Sequence, residues 1–192
     1  MPHARTIAKE STAVLRKKTL EIPLADISSR TIQQLIKAMQ ETLARTPDGV
    51  GLAAPQVGES LRLFIVSEEA EEIDRTEATR KNEESESNTE PRELAYEKRP
   101  WQYYVFINPV VKRISRKKLK GPEGCLSVPG VFGPVERSEK ITVEAYDEHG
   151  NKFTRGASGF FARVVQHELD HLDGVLFIDK AEKLIRPSKS PV

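Results

Sequence analysis

The chain has 192 residues and a formal net charge of +1 at pH 7. That length can bury a sizeable core, and the charge gives no reason to expect a specific nucleic-acid partner or an acidic surface. Its single cysteine excludes an intrachain disulfide. No apolar run approaches the ~20 residues of a membrane span, and the opening MPHARTIAKEST lacks an apolar signal core. No membrane partner is expected, and the expected location is the cytoplasm.

A first helix is predicted from Ser28 to Ala44, where Ile32, Leu35, Ile36, Met39 and Leu43 recur at spacings of three and four. Asp26 or Ser28 is the expected cap, and Pro47-Asp48-Gly49 supplies the stop. GVGLAAPQVG (49–58) follows, too apolar and glycine-rich for an ordinary solvent loop. LRLFIVS (61–67) and YYVFINP (103–109) read as interior strands, apolar on both faces, and VVKRISRKK (110–118) continues the sheet toward an edge. KITVEAYD (140–147) alternates as a half-buried strand, and EHGN (148–151) turns it into KFTR. A last helix is predicted from Gly159 to Asp173, with Ser158 as N-cap and Gly174 as its stop. Strands lie between helices without βαβ alternation. The fold class is therefore α+β, with largely antiparallel sheets.

One domain spanning 1–192 is expected, carrying a charged insertion at about 68–99. That stretch holds twelve Asp/Glu against six Lys/Arg and too little apolar surface to offset its ordering entropy. It reads as either a flexible insertion or a charged surface helix, a solvated segment rather than an acidic docking surface.

The chemistry concentrates in VVQHELDHLDG (164–174). On a wheel at about 100° per residue, Phe161, Val164, Val165 and Leu172 form a core stripe. Arg163, Gln166, Asp170 and Asp173 point away from it. Glu168 falls in the middle of the apolar stripe, flanked by His167 and His171. A carboxylate there is costly unless compensated, and a divalent metal on the two histidines would compensate it through a shared water. The alternative is a salt-bridged core glutamate beside two satisfied histidines.

A catalytic metal of this kind takes three protein ligands and a water. Downstream, Asp173, Asp179 and Glu182 are available. Asp173 is too close on the helix, and no further histidine follows. Upstream, PEGCLSVPG (122–130) holds the only cysteine. A lone cysteine is commonly a small buried hydrophobe, but Cys125 would complete a Cys-His-His set as a thiolate.

Three segments together resemble peptide deformylase: GVGLAAPQ (49–56), EGCLS (123–127) and QHELDH (166–171) match the fixed positions of that family's motifs in the family's order. The likeness extends from about Val14 to Asp179. It implies sheets packed around a central C-terminal metal-binding helix, and hydrolysis of the N-formyl group from the formylmethionine of nascent peptides, releasing formate. Carried over, the metal ligands are Cys125, His167 and His171. Glu168 is the general base and later the proton donor to the amine. Gln56 and the backbone N–H of Leu126 stabilise the oxyanion. Val50, Glu123, Phe160, Val164 and His167 border the methionine pocket, with Gly51 pairing to the substrate main chain as in strand addition.

Iron(II) is the cofactor the resemblance implies, with zinc or nickel able to occupy the same donors. Asp170 is read separately, as an ion-pair partner of Arg137. The basic KRISRKKLK (112–120) suggests either a transient ribosome contact or a solvated edge strand, the latter favoured because no aromatic interleaves the charges. The rival readings are an HExxH zinc peptidase, which would ignore Cys125, and a closed structural metal site.

Overall fold

The computed structural model describes residues 3–76 and 102–186. Helix α1 (Arg30–Ala44) begins on Ser29, whose hydroxyl accepts from the Ile32 N–H at 3.4 Å, so the cap is neither Asp26 nor Ser28. Asp26 instead closes a short 3-10 turn (Leu24–Asp26) just before it. Residues 69–76 form a second helix, α2. This makes the start of the charged insertion helical, and its remainder lies outside the described residues.

Five strands form one antiparallel sheet: β1 (Gly51–Ala53), β2 (Leu63–Ser67), β3 (Tyr103–Ile114), β6 (Lys140–Tyr146) and β7 (Lys152–Ser158), in that spatial order. β2 is buried along its whole length because both faces of the sheet are covered. Leu63 and Ile65 pack toward α1 with Leu35, Ile36, Met39 and Leu43. Phe64 and Val66, one residue out of phase, pack toward helix α3 (Gly159–Leu172) with Phe161, Val164, Val165 and Leu169.

The second half of β3 runs past β2 and pairs with β6 alone, as expected of a strand heading for an edge. Four cations of this stretch are matched by carboxylates: Lys112 with Glu144, Lys117 with Glu139, Lys118 with Glu136 and Lys120 with Glu182. This pairing fits the solvated-edge reading of the basic stretch.

The sequence patterns did not anticipate the hairpin of β4 (Lys118–Cys125) and β5 (Val128–Ser138), which forms a separate two-stranded sheet. It lies against the far side of α3 and corrects the helical wheel. Gln166 is buried, its amide group exchanging hydrogen bonds with the Ser138 backbone at 3.0 and 2.9 Å. Arg163 and Asp170 are also covered, and of the four residues assigned to the outer face only Asp173 is well exposed. The wheel assumed that polar residues meet water. Here they meet a second sheet instead, and α3 is the centre of the molecule. Among the described residues no helix is long and apolar enough to cross a membrane.

Candidate metal centre and substrate cleft

α3 presents His167, Glu168 and His171 on the side facing the end of β4. Cys125 closes β4 where the β4–β5 register shifts, and its Sγ lies 3.2 Å from Nε2 of His171. One donor atom from each of Cys125, His167 and His171 falls within 4.8 Å of the others. The orientation of each group suits ligation. Nδ1 of His167 is engaged by Glu123 Oε2 at 3.0 Å, which leaves Nε2 for the cluster. Oε2 of Glu168 and Nδ1 of His171 are buried without a hydrogen-bond partner, a costly arrangement for side chains alone. A cysteine sulfur and two imidazoles converging beside an unpartnered carboxylate fit a divalent ion with an open fourth position.

The electrostatics agree. Burial pushes the Glu168 carboxyl up to about 7. Burial opposes charge on His167 as well, yet its bonds to Cys125 and Glu123 raise it to about 10. His171 is held well below its ordinary value by burial and by the neighbouring charge of His167. A cluster that draws a proton so firmly onto one imidazole has the negative potential that a cation would neutralise.

Behind the histidines runs a buried charge network. Arg137 donates to both oxygens of Glu123 at 2.8 Å and to Asp170 at 2.5 Å. Arg163 adds a third contact to Glu123 at 2.8 Å, and Lys180 reaches Asp170 at 2.6 Å. The Arg137–Asp170 pair expected from the sequence is present. It extends into a chain that ends on His167. Burial alone would raise Glu123, but its bonds from Arg137 and His167 prevail and hold it at about 2. Glu123 therefore does more than border the cleft, since it fixes the orientation of His167.

Gln56 sits in the 3-10 turn Ala54–Val57 that follows β1, almost fully buried. Its Oε1 accepts from the Ala53 N–H at 2.8 Å, which aims Nε2 at Ser127 Oγ (3.3 Å) and Cys125 Sγ (3.6 Å). Leu126 and Ser127 form the turn between β4 and β5. An N-terminal strap braces both donor-bearing turns from behind: the Ala8 N–H donates to the Gln56 carbonyl at 2.8 Å, and the Glu10 N–H to the Ser127 carbonyl at 3.0 Å.

A cleft of about 380 Å³ opens over these groups. Every predicted site residue except His171 borders it. Among the described residues β2 is the only strand paired with β1, so the other edge of β1, at Gly51, lies along the cleft. The opposite wall was missed: Val128, Val131 and the half-exposed Phe132 come from β5. The alternation of VPGVFGPVE was the available signal.

The acids a zinc peptidase would draw on are occupied elsewhere. Asp173 pairs with Arg62, Asp179 with Arg16 and the Leu176 N–H, and Glu182 with Lys120. Among the described residues, Cys125 alone joins the two histidines.

Comparison with known proteins agrees with the cluster. The family model described as polypeptide deformylase matches residues 4–186. The chain is 39% identical over 176 residues to peptide deformylase 1A, chloroplastic/mitochondrial, of Arabidopsis thaliana, covering 91% of this chain and 60% of that protein. It is 40% identical over 178 residues to a peptide deformylase of Symbiobacterium thermophilum, covering 93% of this chain and 67% of the relative. The chain thus spans about 60% of the length of the plant relative. The Met-Ala-Ser-bound crystal structure of the class I type b peptide deformylase from Acinetobacter baumannii superposes with a TM-score of 0.73 at 32% identity, covering 94% of this chain and 99% of that one. By fold, by motif and by extent of match, the chain belongs to the polypeptide deformylase family.

Proposed function

We propose that this chain, acting as a single domain, hydrolyses the N-formyl group from the formylmethionine end of newly made peptides and releases formate. The observation that carries the reading is the convergence of Cys125, His167 and His171 beside the unpartnered Glu168 carboxylate, under an open strand edge.

Cys125, His167 and His171 would hold one divalent ion, iron(II) in the cell with zinc or nickel able to replace it. When bound, such an ion polarises a carbonyl and brings the pKa of water toward ~7. The remaining chemistry belongs to the chain. The peptide main chain lies against β1, pairing with Gly51 as an added strand, and so brings its formyl group over Glu168. Water adds to the formyl carbon as Oε2 of Glu168 takes its proton. The C–N bond then breaks as Glu168 returns that proton to the amine nitrogen, leaving formate and a free N-terminus. Gln56 Nε2 and the Leu126 N–H stabilise the oxyanion formed between these steps, each typically worth ~10²–10³ in rate. Val50, Glu123, Phe160 and Val164 border the methionine side chain. A cysteine free to serve as a ligand suits a reducing compartment, so the cytoplasm is the proposed location.

The test is formate release from a formyl-Met peptide by anaerobically prepared, iron-loaded protein, with Cys125→Ser alongside. A deformylase loses metal and activity in that variant. A peptidase using an acidic third ligand would keep both.

A further inference from the structure

Asp74 lies in the stretch whose composition suggests a solvated insertion, yet its carboxylate is committed to α3. Oδ1 accepts from the Phe160 N–H at 2.7 Å and Oδ2 from the Phe161 N–H at 2.9 Å. These belong to the first-turn amides that a helix leaves without intrahelical acceptors. Ser158, the residue at the N-cap position, makes no capping bond with its side chain, so the expected local cap is replaced by a remote one. The approach is close: Gly159 adopts φ +57°, and a Cβ there would stand 2.4 Å from Oδ1 of Asp74.

A second anchor keeps α2 in place. Glu71 accepts from the Tyr104 hydroxyl at 2.8 Å and from Arg155 at 2.5 Å. The Arg155 guanidinium lies 3.7 Å above the Tyr104 ring and 4.9 Å from that of Phe161. Tyr104 in turn meets Phe161 edge-on at 5.8 Å. Phe160, whose N–H Asp74 holds, lines the substrate cleft beside Val164.

We propose that Asp74 is a positioning residue for substrate selection. By fixing the first turn of α3 it sets the place of Phe160 in the cleft wall, and with it the preference for a methionine side chain. The selection rests on the deformylase reading, and the cap rests on geometry alone. Two charge-assisted bonds at a helix start form a strong restraint. Alanine removes both, whereas asparagine keeps one acceptor oxygen in the same place.

The experiment compares parent protein, Asp74→Ala and Asp74→Asn, all iron-loaded, on formyl-Met and formyl-Ala peptides of otherwise identical sequence. Amide hydrogen exchange at Phe160 and Phe161 is followed in parallel. Asp74→Ala is expected to lower kcat/KM for the formyl-Met peptide about tenfold, mainly through KM, on the scale of a lost cap. The formyl-Ala peptide should change less than about twofold, because it does not reach the displaced wall. Asp74→Asn should fall between, with metal content unchanged throughout and faster exchange at both amides in the alanine variant. Equal losses on both peptides, or exchange at Phe160 as slow as in the parent, would overturn the proposal. A parent protein that releases formate from neither peptide would instead overturn the deformylase reading and the selection with it, and the exchange data would then decide the cap alone.

Discussion

Gly51 and Glu168 meet across the gap between β1 and α3. A Cβ on Gly51 would stand 2.4 Å from Oε1 of Glu168 and 2.9 Å from its carboxyl carbon, closer than such atoms approach in real proteins. The strand edge proposed to receive the peptide and the carboxylate proposed to move the proton are thus brought together by the absence of one side chain.

Gly51→Ala must therefore push the Glu168 carboxylate out of line. A misplaced general base typically forfeits ~10²-fold or more in rate, and that is the expected loss in formate release. Neither carboxylate oxygen is among the proposed ligands, so metal content should stay at the parent level. Formate assay and metal analysis on the same preparation check both halves, and a parent-like rate would show that the contact does not position Glu168.

Arg137 ties Glu123 to Asp170, with the Arg137 and Glu123 side chains 5% and 4% exposed. Breaking a buried pair from one side leaves its partner uncompensated, at a cost of about 3–5 kcal/mol. Arg137→Met is expected to lose that much stability in a urea titration, and Arg137→Lys to recover only part, because a single ammonium cannot reproduce the planar fork. A loss below about 1 kcal/mol, the scale of an exposed pair, would mean that Arg163 and His167 suffice to hold Glu123.

Acid should loosen α2. Burial tends to raise the Glu71 carboxyl, but hydrogen bonds from Tyr104 and Arg155, with the charges of Arg155 and Arg75, bring it below its ordinary 4.5. A carboxylate depressed in the folded state contributes stability that is present above its unfolded pKa and lost as pH falls through the folded one. The melting temperature should accordingly fall as pH drops below 4.5, and the slope should be shallower in Glu71→Gln. Parallel curves for the two proteins would exclude Glu71 as a contributor.

The parts of the site that are contiguous in the chain were legible in advance. QHELDH places two imidazoles and a carboxylate by helical spacing, and the buried position of Glu168 followed from the apolar stripe around it. GVGLAAPQ and EGCLS matched a family pattern, but nothing in their local composition says that Cys125 would come within 3.2 Å of His171; packing of the β4–β5 hairpin against α3 achieves that. Asp74 was not legible either, since capping from 86 residues away leaves no periodic trace. The strap contacts of Ala8 and Glu10 are made by backbone N–H groups, which every residue but proline carries, so no side-chain pattern could announce them. The wheel failed for Gln166 and Arg163 because polarity was equated with exposure, whereas those side chains satisfy the backbone of β4 and β5.

In the proposed mechanism Glu168 moves the proton while Cys125, His167 and His171 hold the ion. Formate release and bound metal measured together on Glu168→Gln test it most directly. Metal content should equal that of the parent protein, and formate release should fall by about 10²–10⁴-fold, the usual contribution of a general acid–base. Glu168→Gln protein that keeps its metal and still releases formate at the parent rate would contradict it.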